Sequence, residues 1–347
     1  MKHDENLKGG FPSLGEFLIA VRKYRDGDRH DSRIADLEQK TLTEGTDSAG
    51  GFTVPEYWAN EIYHAALEES IVRSRAIVLP MTSDTLNVPV LVDSNRSTNI
   101  FGGITLTWVE EAEEKSTSAG DPKFGDVKLE AHEGIAFCWV QNQLEDDARS
   151  LESFIKTAYG KALAFYEDDV YLHGSGIGRP LGIMPSGGMT TVTRTALGKI
   201  DIADFGNLSK RLLPGSWKTA VWLINPMVLG ELFELQTAAA NSASIINLAD
   251  MRILGRPIIV TEKCAALNTT GDIILADFDN GYVIGDRSMT IEGSRHANYG
   301  GTSGYLQNQT GWRIVLRVAG QPVLSAAITP KRGSNTLSHF VCLSTNS

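Results

Sequence analysis

The sequence predicts an α+β fold, and three features carry that prediction. Apolar residues recur at three- and four-residue steps from Leu151 to Leu172, as in one helix of about 33 Å. Helix and strand patterns alternate from Ile202, through the strand AVWLI that ends at Ile224, to the strand IILA that begins at Ile273. A tail rich in Val, Leu and Ile, from Gly304 to Leu324, is strand-like.

The first fifty residues predict an arm with one amphipathic helix rather than a separate domain. Ser13 and Glu16 have the spacing of a capping box, in which each side chain accepts a hydrogen bond from the other residue's backbone N–H. The apolar residues of this helix form a single stripe: Leu14, Phe17, Leu18 and Val21. The helix therefore needs a surface outside itself on which to pack. A second helix follows around Trp58, and we expect the folded body to start near Thr53.

Two strand patterns flank a long polar stretch and predict a projecting β-hairpin. Side chains alternate along LNVPVLV, Leu86 to Val92, and Pro89 restricts this strand to a sheet edge or a free ribbon. Val127, Leu129 and Ala131 alternate in the same way. The stretch between the two strands is rich in Gly, Ser and Glu and has no core pattern. Because an isolated hairpin is marginal in water, we expect this one to lie on another chain.

The stretch HGSGIGRPLG, His173 to Gly182, holds four glycines and invites comparison with a phosphate-binding loop. Such a loop has its glycines after a strand and at the start of a helix, whereas these glycines follow the long helix. Gly174 is expected as a left-handed residue that ends the helix, and Pro180 prevents its continuation. We therefore favour a turn between two lobes over a nucleotide site.

The composition indicates a soluble globular protein of about two domains. The chain has 347 residues, of which 42% are hydrophobic and 21% are charged. No apolar run approaches the ~20 residues that cross a bilayer, and MKHDENLKGG lacks a signal core, so we expect a cytoplasmic protein without a membrane partner. Three dispersed cysteines argue against a disulfide framework or a zinc ribbon, and we expect buried free thiols at Cys138, Cys264 and Cys342.

The search for catalytic groups in the sequence is negative. None of the seven histidines lies in an HExxH or His-x-His motif, so no metal site is predicted. The pairs Asp146-Asp147 and Asp168-Asp169 point about 100° apart on a helix and cannot share a proton, so we interpret them as capping and solvated residues. Ser48 and Ser175 lack the Gly-x-Ser-x-Gly elbow. We therefore predict no catalytic residue, no cofactor and no enzyme.

Charge is distributed unevenly along the chain. The total of 32 basic and 42 acidic residues gives a net charge of −10, so the protein as a whole repels nucleic acid. Four glutamates crowd one segment: Glu110, Glu111, Glu113 and Glu114. No acid follows Glu292, although Arg317, Arg332 and other basic residues do. Two hypotheses stay open. Either both regions are solvated faces, or the four glutamates and the two arginines are interface residues that attract each other between copies.

Segments spread along the chain occur in the same order as in one known family. They are GGFTVP (50–55), VRSRAIVLPM (72–81), DPKFGDVKLEAHEGIAFCWV (121–140), QLEDDA (143–148) and GSGIGRPLGI (174–183). LGRPIIVTEKCAAL, ILADFDNGYVIGDR and YLQNQ continue the series, which extends to about Ile328. In these segments the chain resembles the major capsid proteins of tailed bacteriophages, the Hong Kong 97-like family. Their common order is more specific than any single motif.

The resemblance implies a Hong Kong 97-like capsid fold with an N-terminal arm, an extended loop, a peripheral domain with a spine helix, and an axial α/β domain. The implied segments are 1–53 for the arm, 54–83 for the first part of the peripheral domain, 84–126 for the extended loop, 127–190 for the peripheral domain with the spine helix, 191–301 for the axial domain and 302–347 for the peripheral strand that returns to the axial domain.

The resemblance also implies function. The chain would associate with itself into hexamers and pentamers, in the host cytoplasm, and close an icosahedral head around double-stranded DNA without sequence-specific binding. Separate scaffolding, portal and decoration proteins would be its partners in the virion. Two alternatives stay open: a cellular nanocompartment shell protein of the encapsulin type, and a small α/β enzyme that uses the turn from Gly174 to Gly182.

Some members of this family weld their subunits through an isopeptide bond between a loop lysine and a tail-strand asparagine, helped by a glutamate. Asn308 falls where the asparagine would be, and Lys115 or Lys123 lies near the lysine position. The glutamate position falls near Val315, and no acid occurs from Asn308 to the last residue, Ser347. A protonated lysine cannot attack an amide without a base to take its proton. We therefore expect a non-covalent shell.

Overall fold

The structure is a computed structural model that describes residues 10–27, 31–35, 37, 52–55, 57–59, 61–62, 70–91, 95–96, 124–145, 148–238, 245–299 and 301–345. The chain divides into two compact units. Unit 1 comprises Met1–Ser74, Ala131–Glu167 and Asp286–Ala319, and unit 2 comprises Arg75–Glu130, Asp168–Gly285 and Gly320–Ser347.

The described residues form both strands and helices. The strands are β1 (Phe52–Thr53), β2 (Ile77–Pro80), β3 (Thr85–Leu91), β4 (Phe124–Glu130), β5 (His132–Gln141), β6 (Met189–Thr193), β7 (Val221–Ile224), β8 (Ile246–Asn247), β9 (Arg252–Ile253), β10 (Arg256–Val260), β11 (Ile273–Ala276), β12 (Tyr282–Ser294), β13 (Asn298–Tyr299), β14 (Thr302–Ser303), β15 (Gln309–Pro322) and β16 (Phe340–Ser344). The α-helices are α1 (Leu14–Arg25), α2 (Asn142–Glu145), α3 (Ala148–Phe154), α4 (Gly160–His173), α5 (Ile202–Ser209), α6 (Pro226–Ala238), α7 (Phe278–Gly281) and α8 (Gly304–Gln307).

A sheet with the strand order β1-β12-β15-β5 organises unit 1. Its pairings of β1 with β12 and of β15 with β5 are antiparallel. The longest pairing joins β15 to β5 in a register that runs from Gln309 opposite Gln141 to Val318 opposite His132. The strand-like tail that the sequence predicts from Gly304 to Leu324 is therefore confirmed from Gln309 onward, whereas Gly304–Gln307 forms the short helix α8.

Helix α1 packs into the core of unit 1. The Ser13 hydroxyl accepts a hydrogen bond from the Glu16 backbone N–H at 3.2 Å, so the predicted N-terminal cap is confirmed. The predicted stripe is fully buried: Leu14, Phe17, Leu18 and Val21. It shares one apolar cluster with Trp58, Leu151 and Ile155. The expectation that the folded body starts near Thr53 is wrong, because the surface on which α1 packs lies in its own chain.

The long helix that the sequence predicts from Leu151 to Leu172 is confirmed. It runs through α3, a π-helical turn at Ile155–Tyr159, and α4. Its buried side chains include Leu151, Ile155 and Tyr159, and the Tyr159 hydroxyl donates a hydrogen bond to the Trp312 carbonyl oxygen at 3.0 Å. A π-helical turn widens the helix by one residue and often accompanies close packing or a functional site.

Unit 2 is built on a seven-stranded mixed sheet with the order β6-β16-β11-β7-β10-β9-β8. Strands β10 and β7 are parallel, whereas β11 is antiparallel to β7 and β16. Every residue of β7 and β11 is buried, as expected for central strands covered on both faces. The alternating pattern predicted from Ile202 to the strand IILA is therefore confirmed.

The glycine-rich stretch is a turn, but its first glycine has a different role from the predicted one. Helix α4 does end at His173. Gly174 is not among the residues with positive φ; instead, an added Cβ would lie 2.2 Å from the Pro180 carbonyl oxygen. Gly176 and Gly178 take the left-handed conformation, with φ of 76° and 66°, respectively. Gly174 is thus required by close backbone approach rather than by backbone angle.

Within the described residues, no helix is both long enough and apolar enough to cross a membrane.

Candidate assembly interface

The predicted hairpin is present in unit 2 as a two-stranded ribbon, β3 and β4. Leu86 stands opposite Leu129 and Val88 opposite Val127, so the apolar side chains of the two strands share one face. On β4 the side chains of that face are buried, and on β3 they are partly buried. The opposite face of β3, which includes Pro89, is exposed. Both strands pair only with each other among the described residues. No further described strand pairs with either edge of the ribbon, and the ribbon has little core of its own.

The outgoing end of the ribbon contacts its own unit through Asn95 and Arg96. The Arg96 backbone N–H donates a hydrogen bond to the Thr329 carbonyl oxygen at 2.9 Å, and Asn95 forms a parallel bridge with the same threonine. The four glutamates of the predicted interface, at 110, 111, 113 and 114, lie outside the described residues.

The predicted interface residue Arg317 lies on β15 of unit 1, at a locally basic surface. Its guanidinium Nη2 is 3.9 Å from Glu133 Oε2 on β5. Burial, and then the positive charge of Arg317, lower the pKa of the Arg287 guanidinium on β12. The positive charges of the Arg317 and Arg287 guanidinium groups are therefore close enough to interact. The other predicted residue, Arg332, is exposed in unit 2. Contact of either arginine with another copy stays a prediction.

Unit 1 contains an ionic cluster that sequence patterns do not reveal. The buried Arg73 guanidinium makes bidentate contacts with two carboxylates. Its Nε and Nη2 donate to Glu167 at 2.8 and 2.9 Å, and its Nη1 and Nη2 donate to Asp286 at 2.5 and 2.9 Å. These contacts join three chain segments that are far apart in sequence. Such a geometry fixes backbone positions and supplies no obvious chemistry.

Asp168 corrects the interpretation of the Asp168-Asp169 pair as capping and solvated residues. Asp169 is exposed, but Asp168 is fully buried, and its Oδ2 is 3.2 Å from Lys263 Nζ. A carboxylate in an apolar interior needs such a partner. The pair Asp146-Asp147 lies outside the described residues.

The cysteines are poorly suited to nucleophilic chemistry. Cys264 and Cys342 are buried free thiols, as predicted, whereas Cys138 is only partly buried. Burial, with a smaller effect of the Asp272 charge, raises the pKa of both buried thiols to about 12. The reactive thiolate is therefore scarce at neutral pH. Among the residues that the structure describes, no group of three or more His, Cys, Asp or Glu side chains is placed to hold a metal ion.

The comparisons with known proteins agree with this architecture. The sequence profile described as the phage capsid family matches residues 50–332. The chain belongs to the phage capsid family. It is a major capsid protein, a subunit of the icosahedral head of a tailed phage, and its place is the virion. No curated protein matches the chain at a significant level.

Solved capsid structures share the fold of this capsid protein at low identity. The capsid of a native GTA particle aligns with a TM-score of 0.59 and 17% identity, and the match covers 82% of this chain and 91% of that chain. A chain from Mycobacterium phage Cain aligns with a TM-score of 0.55 and 17% identity, over 80% and 90% of the two chains. A chain from Gordonia phage Cozz gives 0.53 and 15%, over 80% and 87%. The predicted α+β Hong Kong 97-like fold is confirmed.

Sequence reasoning missed several exposed apolar side chains of this capsid protein. Tyr305 and Leu306 are 76% and 82% exposed on α8, and Ile177 is 84% exposed in the glycine-rich turn. Hydrophobic periodicity finds buried faces, so it carries no signal for a large apolar side chain that points outward from a short turn or helix.

Proposed function

We propose that this capsid protein assembles into hexamers and pentamers in the host cytoplasm, and that these close the head around double-stranded DNA. It needs no cofactor, catalyses no reaction and makes no sequence-specific contact with DNA. Separate scaffolding, portal and decoration proteins are its further partners. The ribbon of β3 and β4 is the observation that carries the proposal, because an element that buries so little within its own chain gains most from a neighbour.

The segment boundaries inferred from the family resemblance are part of this proposal. Residues 1–53 form the arm, 84–126 the extended loop, and 191–301 the axial domain. Residues 54–83, 127–190 and 302–347 form the peripheral domain. The ribbon, which has both its strands within or beside the segment 84–126, supports placing the extended loop there.

Charge supports the proposed way in which copies meet. Arg317 lies close enough to Arg287 for the two positive charges to interact, and Arg332 is exposed. The segment with Glu110, Glu111, Glu113 and Glu114 has the opposite sign. Attraction between these surfaces on neighbouring copies orients them and accelerates their encounter.

The net charge of −10 supports the proposed relation to DNA. A wall of the same sign as the phosphate backbone does not retain the genome while it is packed. The encapsulin-type alternative is less well supported by the matched family. The small α/β enzyme would use the glycine-rich turn, which follows a helix and therefore lacks the helix N-terminus that binds phosphate.

The shell is non-covalent in this proposal. The Asn308 Oδ1 atom accepts a hydrogen bond from Asn142 Nδ2 at 2.7 Å, and the position expected for the assisting glutamate, Val315, is buried and apolar. An apolar residue at that position supplies no base to activate an attacking lysine. Purified particles boiled in detergent should migrate as one band near 37.7 kDa; a ladder of covalent multimers would contradict this part of the proposal.

Electron microscopy of the purified protein tests the proposal as a whole. Closed shells, or rings of five and six subunits, are the expected result. A compact monomer at every concentration would contradict it and favour the small enzyme, and a closed shell that copurifies with a cargo protein would favour the encapsulin-type alternative.

A further inference from the structure

Four strands of the seven-stranded sheet in unit 2 end at the same edge. Strands β10 and β7 are parallel, and so are β16 and β6. Because β11 is antiparallel to both β7 and β16, the strands β6, β16, β7 and β10 all run in one direction, and β11 begins where they end. In open α/β sheets, ligands bind just outside the carboxyl ends of such strands. This edge is therefore the place in unit 2 to search for a ligand site.

The residues next to these strand ends are polar and buried. Arg194 follows β6, Asn225 follows β7, Thr261 follows β10, and Asp272 precedes β11. Their exposed fractions are 2%, 9%, 8% and 0%, respectively. We call these four residues the carboxyl-edge cluster. A buried polar side chain costs free energy unless it is hydrogen-bonded, so each member of the cluster needs a partner.

Two members of the cluster have partners in the chain. Asn225 Nδ2 donates to the Cys264 carbonyl oxygen at 2.9 Å, and Asn225 Oδ1 accepts from the Met227 backbone N–H at 3.0 Å. The Thr261 hydroxyl accepts from the Lys263 backbone N–H at 3.3 Å. These bonds fasten the start of the loop between β10 and β11 to the edge of the sheet.

Arg194 differs, because most of its donors have no such partner. Its Nη2 donates to Asp272 Oδ2 at 2.5 Å, and the Asn268 backbone N–H donates to the same oxygen at 2.9 Å. Among the residues that the structure describes, the buried Nε and Nη1 atoms of Arg194 have no hydrogen-bond partner, and neither has the buried Oδ1 atom of Asn268. Buried groups in this state are rare in folded proteins, because an unsatisfied donor or acceptor loses its water without compensation.

Charge and hydrogen-bonding capacity indicate which ligand fits. The Asp272 carboxylate disfavours an anion beside Arg194, and the Arg194 guanidinium disfavours a cation. The Nε and Nη1 atoms of Arg194 need an acceptor, whereas Asn268 Oδ1 needs a donor. A neutral molecule that both accepts and donates meets both needs, and water is the smallest one. A buried water molecule makes about three hydrogen bonds to such unsatisfied groups.

We propose that ordered water binds at the carboxyl-edge cluster, where it accepts hydrogen bonds from Arg194 Nε and Nη1 and donates to Asn268 Oδ1. This water joins the end of β6 to the loop that precedes β11. The Arg194 backbone N–H also donates to the Ser344 carbonyl oxygen at 3.2 Å, so the end of β16 belongs to the same network. All of these residues lie in unit 2. The inference therefore does not depend on the proposed shell function.

A crystal structure of the purified full chain, at a resolution that shows ordered water, tests this inference directly. Water density is expected at ~2.7–3.2 Å from Arg194 Nε or Nη1. Direct bonds from both nitrogen atoms to protein atoms, or no density beside them, would overturn the inference. Crystals soaked in bromide distinguish water from an anion. An anomalous bromide peak beside Arg194 would show an anion site and would also overturn the inference.

A second measurement compares variants in solution. Oxygen-17 magnetic relaxation dispersion counts the long-lived buried water molecules of a protein. Arg194→Lys keeps a positive charge for Asp272 but lacks the Nε and Nη1 donors, and Asn268→Gly suits the native φ of 66° but lacks Oδ1. Each variant should lose at least one long-lived water molecule, whereas Arg332→Lys, at an exposed arginine, should lose none. A count that neither cluster variant lowers, or an equal loss in the Arg332 control, would contradict the inference.

Discussion

The central strands of unit 2 and the ribbon of β3 and β4 differ in how completely they bury their side chains. Every residue of β7 and β11 is buried. In the ribbon, among the side chains that the structure describes, only Val127 and Leu129 are buried. Helices α5 and α6 add Phe205, Leu208, Val228 and Leu232 to the core of unit 2. One region thus completes its own core, and the other depends on what lies against it.

The sequences of the two regions explain this difference. VWLI and IILA are continuous apolar runs, which suit strands with neighbours on both edges and cover on both faces. TLNVPVL alternates and contains Pro89, which cannot donate a hydrogen bond to a further strand. A two-stranded ribbon of this kind is marginal by itself. The contrast distinguishes parts that fold from parts that assemble.

The largest expected effect is on the core of unit 2. Leu223→Ala removes a fully buried side chain of β7 and should lower the free energy of unfolding by about 2–5 kcal/mol. Val88→Ala, in the half-exposed ribbon, should lower it by less than about 1 kcal/mol in the unassembled subunit. Urea denaturation of both variants measures the difference. Equal losses would show that the ribbon is as well packed as the sheet.

A smaller effect concerns acid stability. Burial by itself raises the pKa of Asp277, but hydrogen bonds with His339, Ser216, Asn280 and Thr219 outweigh it and lower the pKa from 3.8 to about 2. Because this pKa is lower in the folded state, the ionised carboxylate stabilises the fold above pH ~4, and the stabilisation of about 2 kcal/mol is lost as the pH falls towards ~2.

Asp277→Asn should therefore remove that part of the pH dependence of unfolding between about pH 5 and about pH 1, roughly one unit beyond the unfolded and folded pKa values. The ribbon supplies a matched control. Glu130 is half-exposed and pairs with Lys128, and such surface pairs contribute little, so Glu130→Gln should leave the acid transition unchanged. An acid transition that is identical in Asp277→Asn and the wild type would contradict the assignment.

The smallest expected effect is electrostatic and kinetic. Replacing Glu110, Glu111, Glu113 and Glu114 by glutamine should slow assembly severalfold at low salt, because it removes the attraction to basic surfaces such as Arg317 and Arg332. The difference from the wild type should vanish at 1 M salt, where the Debye length is ~3 Å. Light scattering measures the rates, and an unchanged rate at low salt would show that the cluster is only solvated.

Local sequence patterns predict the elements of this fold but few of its long-range contacts. Period and capping locate α1, the long helix and the strands of unit 2, because each depends on neighbouring residues. Arg73 meets partners 94 and 213 residues away, and no spacing rule connects them. The sequence indicates a solvated Asp168 beside Asp169, whereas in the structure the Asp168 carboxylate pairs with Lys263. Exposed apolar residues such as Tyr305 do not follow the periodicity of buried faces, so hydrophobic patterns do not predict them.

The central claim is that the two units fold by themselves and that the loop beyond the ribbon acts mainly between copies, its contact with Thr329 of the same chain being confined to Asn95 and Arg96 among the described residues. Deleting Ser94 to Gly120 tests this most directly, with thermal melting of the subunit and electron microscopy of the assembled sample measured on the same preparation. The account predicts a folded subunit with the melting temperature of the full chain and no closed shells. Closed shells of normal size from the deletion variant, or a subunit that no longer folds, would contradict it.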